Sequence, residues 1–185
     1  MIKSTPTNIP EVKIIEPVIY DDERGFFFES FHQSNFNKAI GLNVKFIQDN
    51  HSKSTYGVLR GLHFQSYPYE QGKLVRVVSG EIFDIAVDVR KKSKTFGHYV
   101  GVYLSSSNKK QLWIPEGFAH GFLVTSRTAD LVYKTTNYYC KDHEKSIKYN
   151  DKDLCIKWPK LKTEFILSPK DSNGMTLENL KNFLT

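Results

Sequence analysis

What most limits the fold of this chain is the shortness and period of its apolar runs. Short stretches rich in Val, Ile, Phe and Tyr recur along the whole sequence, with turn residues between them. Val12–Ile19, Val44–Asn50, Lys73–Val78, Glu81–Val89, His98–Leu104, Lys110–Ile114, Gly121–Val124 and Leu131–Tyr138 all read as strands. The run from Phe83 to Val89 is the clearest: Phe83, Ile85, Val87 and Val89 alternate with Asp84, Ala86 and Asp88. Successive strand side chains point to opposite faces, so the odd positions face a core and the even ones share the other face. Turn signals separate the runs at Ser79-Gly80, Ser105–Asn108 and Pro115–Gly117. Many short strands at this spacing predict an all-β sandwich or barrel. Only two segments read as helices: Phe31–Ile40, ended by Gly41, and Thr176–Phe183, with Leu177, Leu180 and Phe183 on one face. No repeat, low-complexity tract or linker interrupts the 185 residues. A chain of this length is expected to form one domain over 1–185 and to bury roughly 70% of its unfolded surface.

Charge and composition narrow the function. Aromatic residues make up 14% of the chain, which favours strands. The net charge of +6 suits a nucleic acid, an acidic lipid or a phosphorylated small molecule. The lysines are dispersed, with only short clusters such as Lys109-Lys110. That pattern favours a solvated basic surface over a nucleic-acid patch and is compatible with a site for an anionic nucleotide. Cys140 and Cys155 are the only cysteines and form no CxxC or Cys/His cluster, so reduced thiols are expected. The N-terminal MIKSTPTNIPEVKI lacks the apolar run of a signal peptide. No stretch approaches the ~18 apolar residues that span a membrane. A cytoplasmic protein without membrane or nucleic-acid partners is therefore expected.

Two segments carry histidines in a recognisable setting. Gly57-Val-Leu-Arg-Gly-Leu-His63-Phe-Gln65 resembles the first cupin motif, in which two His at i and i+2 follow a Gly, with Gln65 in place of the second His. Pro115-Glu-Gly117-Phe-Ala-His120 resembles the second motif, P-x-G-x-x-H. A cupin metal site usually takes three His and one Glu. Here His63 and His120 remain, and Glu70, at roughly the motif spacing, falls in Ser66–Gln71, which reads as a loop. An open set of this kind holds a metal weakly, so no metal is expected and the imidazoles are candidates for acid/base work.

Longer motifs then agree with one family. Asp22-Glu-Arg24-Gly-Phe-Phe-Phe-Glu29, Gln48-Asp-Asn50-His-Ser-Lys-Ser54, Gly57–Gln65, Gln71-Gly-Lys73, Phe83–Arg90, Gln111–Phe122, Tyr133-Lys-Thr-Thr-Asn-Tyr-Tyr139, Trp158-Pro159 and Leu167-Ser-Pro-Lys170-Asp171 occur in that order. Together they resemble dTDP-4-dehydrorhamnose 3,5-epimerases over nearly the whole chain. The resemblance implies a cupin-type jelly-roll β-sandwich that works without metal or organic cofactor. It implies a homodimer in which a strand of one subunit helps to build the other's site. The substrate it implies is a dTDP-linked 4-keto-6-deoxy sugar on the route from dTDP-glucose to dTDP-L-rhamnose.

A ketone at C4 acidifies the protons on C3 and C5. Epimerisation takes such a proton, passes through an enolate and returns a proton to the opposite face. That demands a base, an acid across the ring and a positive group at the ketone oxygen. His63 is the candidate base, because an imidazole is neutral near pH 7. Asp171 matches its family partner; as a bare residue it reads more readily as a surface turn. Tyr133 is the candidate acid, since a phenol of pKa near ~10 holds its proton at neutral pH, and it shares a strand face with Leu131 and Thr135. Lys73, at a strand start, is the candidate for the enolate oxygen. Asp84, among apolar neighbours, would need a buried partner such as a site histidine. For the nucleotide, Arg60 and Lys170 suit the two phosphates, while Arg24, Glu29, Gln48, Asn50, His120 and Glu144 match ligand-contacting positions, Arg24 reaching across the dimer. Tyr139 matches the residue that stacks on thymine, although Cys140 and the charged Lys141-Asp-His-Glu144 depart from the family's usual turn. A C3-only epimerase would use nearly the same residues. A metal-dependent cupin enzyme would need a fuller ligand set, and a sugar-binding cupin would leave His63, Lys73, Tyr133 and Asp171 together unexplained.

Overall fold

The computed structural model describes residues 2–183, and these form two facing β-sheets with a hairpin and three short helices. The strands are β1 (Lys3–Pro6), β2 (Lys13–Glu16), β3 (Tyr20–Asp22), β4 (Gly25–Phe27), β5 (Gln48–Thr55), β6 (Leu59–Gln65), β7 (Lys73–Ser79), β8 (Glu81–Asp88), β9 (Tyr99–Ser105), β10 (Gln111–Ile114), β11 (Phe118–Val124), β12 (Thr128–Thr135) and β13 (Glu144–Ser146). The helices are α1 (Gln33–Ile40), α2 (Pro169–Ser172) and α3 (Leu177–Phe183). One sheet has six strands in the order β1-β2-β10-β7-β12-β5, and the other five in the order β13-β6-β11-β8-β9. Strands β3 and β4 pair only with each other. This is the all-β sandwich expected from the apolar period.

The space between the sheets holds the main core, with Val75, Val77, Ile82, Ala86, Leu104, Leu112, Ile114, Phe122 and Leu131 all buried. Burial does not stop there. The odd residues Ile85, Val87 and Val89 of the β8 run pack on the outer face of the five-stranded sheet under Leu154, Leu180 and Ile147. Trp113, Leu74 and Ile15 on the outer face of the six-stranded sheet are covered by Phe36 and Ile40 of α1. Alternation in β8 therefore marks two covered faces, not one wet and one dry, because the C-terminal segment folds back over the sheet. As a result Asp84 and Asp88 are fully buried on the inward face.

Several boundaries differ from the expected ones, each for a local reason. The strand expected over Val44–Asn50 begins at Gln48 and continues to Thr55; Val44 and Phe46 instead pack against the α1 cluster. The strand expected to reach Tyr138 ends at Thr135. Helix α1 starts at Gln33, where the His32 imidazole accepts from the Asn35 amide, and ends at Gly41, whose φ of 74° is easy only for glycine. In α3, Leu180 is buried, but Phe183 is 45% exposed, with the Lys145 ammonium over its ring, and does not share the buried face.

Candidate active site

Strand β6 contains the local feature that shapes the site. Its partner β11 pairs His120 with His63, but the register then shifts before Phe122 meets Arg60. Gly61 makes this irregularity possible. Its φ is +118°, and a side chain there would meet the Gly121 Cα at 2.5 Å. The two backbones approach where neither residue has a Cβ. The Gly61 amide thus turns toward the Asp171 carboxylate, 3.0 Å away.

Asp171 is the third residue of α2 and belongs to a capping box. The Ser168 hydroxyl donates to it at 2.6 Å, and the Asp171 amide donates back to that hydroxyl at 3.2 Å. This holds the carboxylate in place with 5% of its side chain exposed, 2.7 Å from His63 Nε2. The contact is short, but the ring N–H is not aligned on the oxygen, a geometry that tightens in many sites only when substrate is bound. Burial alone would raise the Asp171 pKa; the His63 ring beside it and the hydrogen bonds from Ser168 and Gly61 outweigh that and hold the carboxyl well below the usual range. Burial pushes the His63 imidazolium down despite the opposing pull of Asp171. Burial thus favours the neutral imidazole of His63 at pH 7, with a carboxylate already beside it.

His63 lines one wall of a cavity of about 490 Å³ between the sheets, together with Arg60, Gln65 and His120 of the five-stranded sheet. Gln48, Asn50, Lys73 and Tyr133 face them from the six-stranded sheet. Tyr139, Glu144, Lys170 and Asp171 complete the rim. The Tyr133 ring centroid lies 6.5 Å from that of His120. Burial, and then the charge of Glu144, raise the Tyr133 phenol pKa, so it keeps its proton at neutral pH. Lys73 is buried, and that desolvation lowers its ammonium to about 8 against the help of Asp84. Among the described residues its ammonium makes one hydrogen bond, a long one of 3.4 Å to the His63 carbonyl.

Asp84 does not reach the cavity. It sits behind His120, with both oxygens 2.9–3.0 Å from Nε2, and desolvation raises its pKa against the pull of His120 and Lys73. Each histidine is thus backed by a carboxylate at Nε2, and no group of three or more His, Cys, Asp or Glu side chains among the described residues could hold a metal ion.

Arg24 and Glu29 are not among the residues that line this cavity. Both are exposed, and Arg24 pairs with Asp22 at 2.5 Å. Two lining glutamines quoted in the sequence motifs were given no site role there. Gln65 accepts from the Cys140 amide at 3.2 Å, and Gln71 donates to the Asn137 carbonyl at 2.8 Å, fixing the loop that carries Tyr139. Ser168 was not singled out in the sequence, although Ser168-Pro-Lys-Asp171 has the capping-box spacing that could have found it.

Comparison with known proteins agrees with this geometry. The family model described as dTDP-4-dehydrorhamnose 3,5-epimerase matches residues 6–179. The dTDP-4-dehydrorhamnose 3,5-epimerase of Shigella flexneri is 58% identical over 178 residues, 96% of this chain and 97% of that protein. The crystal structure of the dTDP-6-deoxy-D-glucose-3,5-epimerase of Legionella pneumophila Philadelphia 1, in complex with dTDP-4-keto-L-rhamnose, superposes with a TM-score of 0.93 at 53% identity, covering 96% of this chain and 94% of that one. A 3'-monoepimerase from Streptomyces bikiniensis, solved with dTDP-quinovose, is more distant in sequence, at 34% identity and a TM-score of 0.90 over 96% and 89% of the two chains. With a cupin-type sandwich, two opposed walls of acid/base groups and these relatives in agreement, the chain belongs to the dTDP-4-dehydrorhamnose 3,5-epimerase family.

Proposed function

We propose that this protein inverts C3 and C5 of dTDP-4-dehydro-6-deoxy-D-glucose to give dTDP-4-dehydro-L-rhamnose. One observation carries the mechanism: His63 and Tyr133 project into the same cavity from opposing sheets. A hexose held between them offers one ring face to the base and the other to the acid.

In each half-reaction the His63 imidazole takes the proton alpha to the ketone. The C–H electron pair becomes the enolate, whose charge settles on O4. The Lys73 ammonium is the positive group for that oxygen, and its poor hydrogen bonding in the free protein leaves it free to turn. Tyr133 then gives its proton to the same carbon from the other side. Imidazolium and phenolate return to their resting states by exchange with water. Asp171 stabilises the imidazolium and fixes its ring. Asp84 fixes the ring of His120, which faces the sugar. Acid, base and cation are all side chains of this chain, so the reaction needs no cofactor.

At the nucleotide end, Arg60 and Lys170 take the diphosphate, Tyr139 stacks on thymine, and Gln48, Asn50 and Glu144 supply polar contacts. Arg24 and Glu29 serve the neighbouring subunit's site in a homodimer with exchanged strands. Support comes from the β3–β4 hairpin, where Tyr20, Phe26 and Phe27 are 63%, 58% and 67% exposed, and from β5, which ends its sheet without a further partner strand among the described residues. The whole chain acts as one domain, cytoplasmic, in sugar-nucleotide synthesis for a rhamnose-containing polysaccharide.

Incubation of the keto sugar nucleotide in D2O tests the reaction. Deuterium is expected at both C3 and C5 by NMR, and His63→Ala should abolish both. Incorporation at C3 alone would assign a C3 epimerase, and no incorporation would end the proposal. Dimer exchange has its own test. Mixed R24A and H63A subunits should regain activity that neither has alone, because one site of the mixed dimer then holds both native residues. Absence of complementation would place Arg24 outside the partner's site.

A further inference from the structure

Away from the reacting carbons, one carboxylate joins parts of the pocket that the chain keeps far apart. Glu144 lies on β13, opposite Gln65 of β6. One of its oxygens is 2.5 Å from the Lys170 ammonium, and the other accepts from the Tyr139 hydroxyl at 2.9 Å. Each partner leads further. The Tyr139 amide donates to Gln48 at 3.1 Å, and Gln48 donates to Asn50 at 3.0 Å, so this end is tied to β5. Lys170 directly precedes Asp171 within α2, and the capping box with Ser168 holds Asp171 in place. Polar contacts therefore run from β5, past the nucleotide end, to Lys170, whose backbone continues directly into Asp171, the carboxylate that backs His63.

We propose that Glu144 is a positioning residue that ties the nucleotide end of the pocket to the His63–Asp171 pair, so that the groups holding the ligand and the group removing its proton are set as one unit. This rests on the epimerase reading above and adds to it a route by which nucleotide binding steadies the base. A charged, hydrogen-bonded carboxylate with 18% of its side chain exposed is suited to the task, being screened little by solvent.

The charges around His63 provide a second readout. Asp171 and Lys170 on α2, Glu144 on β13, Lys73 and Tyr133 on the opposite sheet, and Arg60 and His120 on its own sheet all face it. Of the pair in question, Glu144 raises the His63 pKa and Lys170 lowers it. Neutralising Glu144 thus moves the acid limb of kcat/KM to lower pH, and neutralising Lys170 moves it to higher pH.

The experiment is a cycle of E144Q, K170M and the double variant, followed by solvent exchange at C3 and C5. Each single change is expected to lower kcat about tenfold, as for residues of one network, and the double to fall no further than the worse single. KM should rise for K170M, which also loses a phosphate contact, and rise less for E144Q, whose amide still offers the ligand a polar contact. E144D keeps the charge but is one methylene too short to hold both partners; it should share the kcat loss while leaving the acid limb in place. Losses that multiply in the double variant, or an E144Q effect confined to KM with an unmoved acid limb, would overturn the tie while leaving the epimerase intact. A wild-type protein that exchanges neither carbon would overturn the epimerase reading and the tie with it.

Discussion

Replacing Asp171 with Asn tests the chemistry at its base while preserving shape. The carboxylate receives the Ser168 hydroxyl at 2.6 Å, the Gly61 amide at 3.0 Å and the Ser168 amide at 3.3 Å, and faces His63 Nε2 at 2.7 Å. The amide of Asn offers one acceptor oxygen to serve all of them. When His63 takes a proton, its charge lies roughly 4 Å from the carboxylate centre, an attraction of about 4 kcal/mol at an effective dielectric of about 20. With the proton half transferred in the transition state, about 2 kcal/mol of that is lost in the variant, roughly thirtyfold in rate. An amide that turns its NH2 toward Nε2 also forces the ring proton onto the nitrogen that faces the sugar. An Asp→Asn change of this kind behind a catalytic histidine costs about 10⁴, so the loss should fall between about thirtyfold and about 10⁴. It should appear in kcat, with KM little changed. Proton NMR of C3–H and C5–H loss in D2O measures it. A D171N protein within threefold of wild type would refute the reasoning. Stability gives a second check. The folded Asp171 pKa lies below the unfolded value of about 3.9, so its contribution is present above that pH and is lost as pH falls through the folded value. The variant should be less stable than wild type at pH 7, with the difference closing below about pH 4.

Three further outcomes follow from the same geometry. Tyr133→Phe should retain deuterium exchange better than net inversion, because the base still works while delivery from the far face is lost; equal loss of both, read by NMR of product and recovered substrate, would argue against Tyr133 as donor. Lys73→Met should cost about 10²–10³ in kcat through lost oxyanion stabilisation, yet melt higher: the ammonium is lowered from 10.5 to about 8, so folding at pH 7 bears roughly 3 kcal/mol of its desolvation. Wild-type stability should rise between pH 8 and 10.5, where the unfolded chain still binds that proton, and the calorimetric gap to K73M should narrow there. Gly61→Ala places a Cβ 2.5 Å from Gly121 Cα, so it should destabilise the fold by about 1–3 kcal/mol in denaturant titration and disturb the Asp171 contact; a variant with wild-type stability and activity would show that the close approach is not required.

How much of this was legible in the sequence depended on what each strand faces. Strands β7, β8 and β10 touch apolar material and declared themselves by period, and Gly41 marked the end of α1. Strands β5 and β6 did not. The inward residues of β5 are Gln48, Asn50, Ser52 and Ser54, three of which line the cavity, so no apolar alternation exists to be read. Strand β6 is broken by Gly61 and carries His63 and Gln65 for the same reason. A strand that builds a polar site loses the pattern by which strands are found. The β3–β4 hairpin was missed because its aromatic residues are exposed in the single chain. Pairings distant in sequence, His63 with Asp171 and Asp84 with His120, follow from no spacing rule. The first was anticipated only through family resemblance, and the second only as the need of a buried carboxylate for some partner. The tie through Glu144 depends on β13, α2 and the loop that carries Tyr139 meeting at one rim, and no local pattern encodes that.

The most direct test is a crystal structure with an unreactive dTDP-hexose bound. The His63 ring and the Tyr133 hydroxyl should lie against opposite faces of the sugar, with the Lys73 ammonium beside O4. A hexose bound with both groups on one face, or with His63 turned out of the cavity, would contradict the account.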